Sequence, residues 1–182
     1  MAAVTTLPAT FVAGNVLTAA QMNSLRGAFR ILQVASVTKT DTFTTGSTSY
    51  VDLTGLTLTM TPSSTSSQIL VTYSVQASGI SGTNMGGIQI MRGATAIGNA
   101  ATASNRSVAN TVIPELGAAQ FGQVASTFLD SPATTSATTY KLQIRTFGAG
   151  GTLIYVNRTQ TDTDAAAWGR GTSTLTVMEI SA

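Results

Sequence analysis

Alternation of side-chain type is the feature that most constrains the fold of this sequence. Between residues 31 and 180, Thr and Ser take most of the positions of one parity, and Val, Ile, Leu and Tyr take most of the other. Successive side chains of a β-strand point to opposite faces, so this pattern places hydroxyls outward and aliphatic groups inward. Residues 56–60, Leu-Thr-Leu-Thr-Met, alternate completely. The pattern predicts strands with one buried face and one solvated face.

Several such runs follow one another, separated by Gly, Ser, Asn and Pro, with no long helical pattern between them. Strands are predicted at residues 32–40, 49–53, 56–61, 68–77, 87–92, 123–129, 139–147, 153–157 and 173–180. Residues 99–119 read either as a long loop or as an irregular strand pair. This spacing is typical of an all-β protein, an antiparallel β-sandwich of jelly-roll-like type, with a short N-terminal arm and helix.

Residues 1–30 follow a different pattern and are predicted to form an arm and an amphipathic helix, separate from a β-domain at 31–182. Thr18 and Gln21 have the spacing of a capping box. The apolar residues then recur at helical intervals. The predicted helix face consists of Leu17, Met22, Leu25, Phe29 and Leu32. A helix this short is marginal alone, so its apolar face must dock on the β-domain, on a neighbouring copy or on a partner protein. We favour a partner or a sister chain over the β-domain.

The composition favours a chain whose surface meets other protein. Hydrophobic residues make up 43% of the chain, which suits a globular domain, but charged residues make up only 9%, far below the usual quarter. A homo-oligomer is therefore favoured over a monomer solvated by Thr and Ser. The basic residues are scattered, which argues against nucleic-acid binding. The sequence contains no apolar run of about 18 residues, so no membrane span is predicted.

The sequence has little equipment for catalysis. It contains no histidine and no cysteine, which excludes a Ser-His-Asp triad and a conventional zinc site. Its seven acidic residues are interpreted as solvating turns and edges rather than as a glycosidase pair. Asp162-Thr-Asp164 lacks the dense acidic loop of a calcium site. We therefore predict no enzyme activity, no cofactor and no metal.

Four aromatic and cationic residues flank the polar loop at 159–171. They are Tyr155, Arg158, Trp168 and Arg170. Trp and Tyr stack on sugar faces and also anchor protein interfaces. Three interpretations of Trp168 stay open: a plug at the end of the sandwich, a subunit contact, or a contact with an external ligand.

Several segments resemble bacteriophage tail-fibre and other virion proteins. One is Met91-Arg-Gly-Ala-Thr-Ala-Ile97. The others are residues 11–25, 45–71, 138–143, 152–158 and 171–180, in that order along the chain. They are β segments rich in Thr and Ser, and none is a catalytic signature.

The resemblance implies a non-enzymatic virion component with a jelly-roll-like head, similar to tumour-necrosis-factor-like and fibre-knob domains, which are usually trimeric. Its partners would be copies of itself and other virion proteins, and a host cell-surface glycan is a candidate ligand. The sequence departs from long fibres because it has no shaft repeat. A small tail-fibre or tail-tip subunit is the first expectation, and a capsid decoration or head-fibre protein is the alternative.

Overall fold

The alternating runs form eleven strands in the part of the chain that the computed structural model describes, residues 16, 18–19, 30–79, 85–102, 104–148 and 152–181. The strands are β1 (Ile31–Lys39), β2 (Phe43–Thr45), β3 (Val51–Met60), β4 (Gln68–Gly79), β5 (Gly86–Arg92), β6 (Thr95–Ile97), β7 (Thr111–Ile113), β8 (Gly122–Asp130), β9 (Thr138–Thr146), β10 (Ile154–Val156) and β11 (Ser173–Ile180). No helix in these residues is long and apolar enough to cross a membrane.

The strands form two antiparallel sheets that pack face to face. The first has the order β1-β11-β4-β10-β2, with β8 paired to β4, and the second has the order β3-β9-β5-β6, with β7 paired to β5. The first half of the chain pairs with the second half in nested order: β1 with β11, β3 with β9, β4 with β8, and β5 with β6 and β7. This nesting is the jelly-roll arrangement, so the predicted fold class is confirmed.

The core lies between the sheets and is built from the inward positions of the alternating strands. In β4 and β11, burial switches at every residue along most of the strand, as the sequence pattern predicted. Each aliphatic side chain buried here contributes roughly 1.5–3 kcal/mol. The largest fully buried apolar side chains are Leu53, Leu56, Ile69, Ile88, Ile90, Ile113, Tyr140, Leu142, Ile144, Ile154 and Leu175.

β3 is one strand where the sequence predicted two, because it contains an irregularity at Gly55. Residues 53–56 of β3 lie opposite Leu142 alone, since Asp52 pairs with Gln143 and Thr57 with Lys141. Gly55 has a φ of +86°. This kink turns both Leu53 and Leu56 into the core, although strict alternation would place them on opposite faces.

Replacement of Gly55 by alanine is expected to lower the free energy of unfolding by about 1–2 kcal/mol, because a side chain at positive φ is strained. Space is not the cause, since the nearest atom to an added Cβ is Lys39 Cγ at 3.6 Å. Urea unfolding measures the loss, with the exposed neighbour Thr54→Ala as the control. An unchanged midpoint for Gly55→Ala would contradict this account of the kink.

The structure corrects one residue of the predicted helix face. Leu32 lies in β1, where it is the extra residue of a bulge between the pairs Ile31–Ile180 and Gln33–Glu179. Because the residues on both sides of Leu32, Ile31 and Gln33, pair with β11, Leu32 is held in extended chain and not in a helix. The other residues of that face, Leu17, Met22, Leu25 and Phe29, lie outside the described residues.

The uncertain region at 99–119 is mostly a loop with one short strand, β7, rather than a strand pair. The loop runs along the edge of β5, where the Asn110 N–H donates to Ile88 O at 2.9 Å, and the Tyr50 hydroxyl donates to Val108 O at 2.7 Å. Like β7, the strands β2 and β6 were not predicted. Each is three residues long, which is too short to display a period of two; β10 has the same length but was predicted from the longer run at 153–157.

Candidate recognition site

The loop at residues 157–172 connects β10 to β11 and is closed at its base by Asn157. The Asn157 N–H donates to Gln76 O at 2.8 Å, and its carbonyl accepts from the Gly171 N–H at 3.1 Å. The φ of Asn157 is +60°, a left-handed conformation that asparagine tolerates better than most residues. This conformation directs the chain out of β10 and into the loop.

The Asn157 side chain is fully buried and fully hydrogen bonded. Its Nδ2 donates to Lys39 O at 3.0 Å and to Asp41 O at 2.9 Å, and its Oδ1 accepts from Ser173 Oγ at 2.6 Å. One side chain therefore joins the end of β1, the end of β10 and the start of β11. The loop extends from a rigid base.

A network of charges stiffens the loop beyond this base. Asp162 accepts from Arg170 at 2.8 Å and lies 3.4 Å from the Arg158 guanidinium. Arg158 also donates to Thr159 O at 3.0 Å and to Gln160 O at 2.8 Å. Because one carboxylate bridges two guanidinium groups, the two sides of the loop are held together.

The tip of the loop forms a shallow pocket of about 240 Å³. Its lining residues are Asp162, Thr163, Asp164, Ala165, Trp168 and Arg170. The backbone N–H of Trp168 donates to Ala165 O at 3.0 Å. This bond turns the chain at the tip of the loop, where Trp168 lines the pocket. Trp168 is half-buried and does not belong to the core, so it does not plug the sandwich.

Of the four residues predicted for surface recognition, Trp168 and Arg170 line the pocket, and Arg158 supports it through Asp162. Tyr155 is a correction. It is only 8% exposed, because the Arg158 guanidinium lies 4.9 Å from its ring centroid and covers it. Tyr155 cannot stack on a ligand, and it acts instead as a platform for Arg158.

Sequence reasoning missed the part played by the two acids, which it weighed as solvating residues, as members of a glycosidase pair and as calcium ligands. Asp162 holds both arginines, and Asp164 adds a second carboxylate to the pocket wall. One signal was present in the sequence, since Arg158 and Asp162 are four residues apart. The pairing of Asp162 with Arg170 depends on loop closure, which no local spacing reveals.

The pocket combines an aromatic face with hydrogen-bonding groups, and its lining carries two carboxylates and one guanidinium, that of Arg170. Arg158 lies outside the lining and offsets the remaining negative charge through Asp162. Such a set suits a hydroxyl-rich neutral ligand, since the indole stacks and the charged groups hydrogen bond. A pocket smaller than about 300 Å³ contacts only part of a larger ligand. Within the described residues, no group of three or more acidic side chains is placed to hold a metal ion.

The structure thus defines a jelly-roll protein with a rigid, neutral loop pocket. Comparison with protein-family models and with curated proteins found no match.

Proposed function

We propose that this protein is a non-enzymatic structural component of a bacteriophage particle, a small tail-fibre or tail-tip subunit. Its β-domain associates as a trimer, and the loop at 157–172 contacts the host surface. Residues 1–30 attach it to the particle or to sister subunits. The resemblance to virion proteins supports the class.

The observation that carries the proposal is the near absence of charge on the outer face of the first sheet. No charged side chain faces outward on β1, β11, β4 or β8 in the described residues. Cross-strand hydroxyls take those places instead. Ser36 Oγ and Thr176 Oγ1 lie 2.8 Å apart, and Gln123 donates to Ser74 Oγ at 2.9 Å. A face of this kind loses little hydration energy when protein covers it.

The loop pocket supports the host-contact part of the proposal. A ligand at the Trp168 indole would gain energy from stacking and from hydrogen bonds to groups already fixed by the Arg158–Asp162–Arg170 network. Preorganised groups lose little entropy on binding. The mechanism is therefore binding, with no bond made or broken.

Trp168→Ala is expected to lower host adsorption of particles about tenfold or more, because an aromatic anchor contributes about 1.4 kcal/mol or more. Particle yield and the copy number of the protein should not change. Phage adsorption assays and immunoblots of purified particles measure the two quantities.

The matched control is Thr172→Ala, an exposed residue of the same loop that does not line the pocket. Its adsorption should equal that of the wild type. Normal adsorption of particles that carry Trp168→Ala would contradict the host-contact role. Absence of the wild-type protein from purified particles would contradict the virion proposal itself.

A capsid decoration or head-fibre protein is the second candidate, favoured by the lack of any shaft repeat in the sequence. Deletion of the gene separates the two candidates. A decoration protein predicts particles that lose heat stability but adsorb normally, whereas a tail-tip protein predicts stable particles that fail to adsorb.

A further inference from the structure

We infer that the outer face of the first sheet contains a docking site for the N-terminal segment, residues 18–29, of a second copy of this chain. The site is a contiguous group of six apolar side chains, which we call the apolar patch. Its members are Ile31, Val34, Leu70, Leu129, Met178 and Ile180.

The strand register assembles the patch from four strands. Val34 of β1 pairs with Met178 of β11, Met178 with Leu70 of β4, and Leu70 with Leu129 of β8. These four side chains form one row from edge to edge. The pair Ile31–Ile180 extends the row toward the end where the chain enters β1.

Three members of the patch are exposed, the other three are half-buried, and the patch differs from the rest of its face. Ile31 is 57% exposed, Val34 55% and Leu129 45%. The next row along the strands consists of hydroxyls only: Ser36, Thr176, Thr72 and Thr127. A concentrated apolar group on a face whose other side chains are mostly hydroxyls and amides indicates a contact surface.

The segment before β1 has the complementary chemistry. Met22, Leu25 and Phe29 recur at helical spacing, and only Arg26 is charged between Thr18 and Phe29. Met22 and Phe29 would lie about 10 Å apart along a helix. The row from Val34 to Leu129 crosses three strand spacings, about 14 Å, so it is long enough to hold the side chains from Met22 to Phe29.

The start of β1 favours a second copy over the same chain as the source of this segment. The pairing with β11 extends through Arg30: its N–H donates to Ser181 Oγ at 3.1 Å, and its carbonyl accepts from the Ser181 N–H at 2.9 Å. Extended chain therefore begins directly after Phe29. A helix that folds back on its own sheet needs a connection of about 2–6 residues, and none remains between Phe29 and this ladder.

This inference deepens the self-association in the proposed function and rests on that part alone. In this arrangement the copies contact one another by exchanging their N-terminal segments. Each copy then offers a patch and a segment, an arrangement that closes into a ring such as a trimer.

Engineered thiols test the contact in the full-length chain, which has no native cysteine. One copy carries Leu25→Cys and a mass tag, and the other copy carries Leu70→Cys. The two copies are co-expressed and then treated with a bismaleimide whose length is about the width of a helix, ~10 Å. The control pair replaces Leu70→Cys with Thr38→Cys, on the hydroxyl end of the same face, about 13 Å along β1 from Val34.

We expect a tagged–untagged product from the Leu25–Leu70 pair at ten or more times the yield of the control pair. Leu129→Cys in place of Leu70→Cys should repeat the result, and circular dichroism checks that each variant folds. The two substitutions on one chain should give cross-links between chains. A link within one chain would overturn the inference and leave the virion proposal standing.

Light scattering on the unmodified chain separates the remaining outcomes. If no selective cross-link forms and the mass is trimeric, the apolar patch is not the docking site, but self-association stands. No selective cross-link together with a monomeric mass would overturn both.

Discussion

Asn157→Ala is expected to lower the free energy of unfolding by about 3–4 kcal/mol. The substitution removes the donor to the carbonyls of Lys39 and Asp41 and the acceptor for the Ser173 hydroxyl, which keeps only its bond from the Gln76 N–H. Each buried group that loses its hydrogen bond costs about 1–3 kcal/mol. The alanine must also adopt a φ of +60°, which adds about 1–2 kcal/mol. Water entering the vacated space would offset part of the loss.

Urea denaturation followed by circular dichroism measures this effect, and Asn157→Gly separates its two causes. Glycine loses the same side-chain hydrogen bonds but adopts positive φ freely, so it should be about 1 kcal/mol more stable than the alanine variant. The exposed residue Asn105 supplies the control, and Asn105→Ala should leave the unfolding midpoint in place. A loss smaller than 1 kcal/mol for Asn157→Ala would contradict the role assigned to this side chain.

The second large effect is expected at Glu179, whose charged carboxylate is fully buried at the end of β11. Oε1 accepts from the Ser63 N–H at 2.7 Å and from Ser63 Oγ at 2.6 Å, and Oε2 accepts from Gln33 Nε2 at 2.6 Å. Burial alone raises the pKa of Glu179. The hydrogen bonds from Ser63, Ser67 and Gln33 outweigh burial and lower the pKa to about 2.

Because the folded pKa lies below the unfolded value of 4.5, the ionised carboxylate stabilises the fold above pH 4.5, and this stabilisation is lost as the pH falls toward 2. The difference between the unfolded and folded pKa values of Glu179 corresponds to about 3 kcal/mol of folding stability. Glu179→Gln should therefore destabilise the protein by about that amount at pH 7, and the gap from the wild type should narrow steadily below pH 4.5.

Urea unfolding of both proteins at pH 7, 4.5 and 3 measures the gap between them. Other carboxylates titrate in both proteins, so their contributions cancel in the difference. Asp164→Asn, on the exposed loop, is the control for loss of a charge and should show no such gap. A stability difference between the wild type and Glu179→Gln that stays constant from pH 7 to pH 3 would contradict the stabilising role assigned to the ionised Glu179.

Alternation along the sequence predicted the long strands because most of them have one solvated and one buried face; β5, which is buried on both faces, is the exception. The runs at 68–77 and 173–180 correspond to β4 and β11 with their inward residues as expected. Alternation failed at β3, where Gly55 breaks the period, and at β2, β6 and β7, where three residues carry no period.

The candidate site was predicted in part, because residue type indicates the chemistry of a side chain but not whether another side chain covers it. Trp168 and Arg170, which the sequence predicted as recognition residues near this loop, line one surface pocket, and their role in recognition stays a prediction. Tyr155 was not, since nothing local indicates that Arg158 from the following loop covers its ring. The role of Asp162 also depends on Arg170, which approaches only when Asn157 closes the loop.

The sequence by itself determined the strand content, the inward side of each long strand and the shortage of charge. These depend on residues a few positions apart, where the two-residue period of a strand acts. Only the tertiary structure decided which side chains meet across strands. The apolar patch is the clearest case, since Val34, Leu70, Leu129 and Met178 are far apart in sequence and adjacent only in this register. A shift of one residue in any of the four strands would turn its apolar side chain to the opposite face, so the pairing, not the composition, creates the surface.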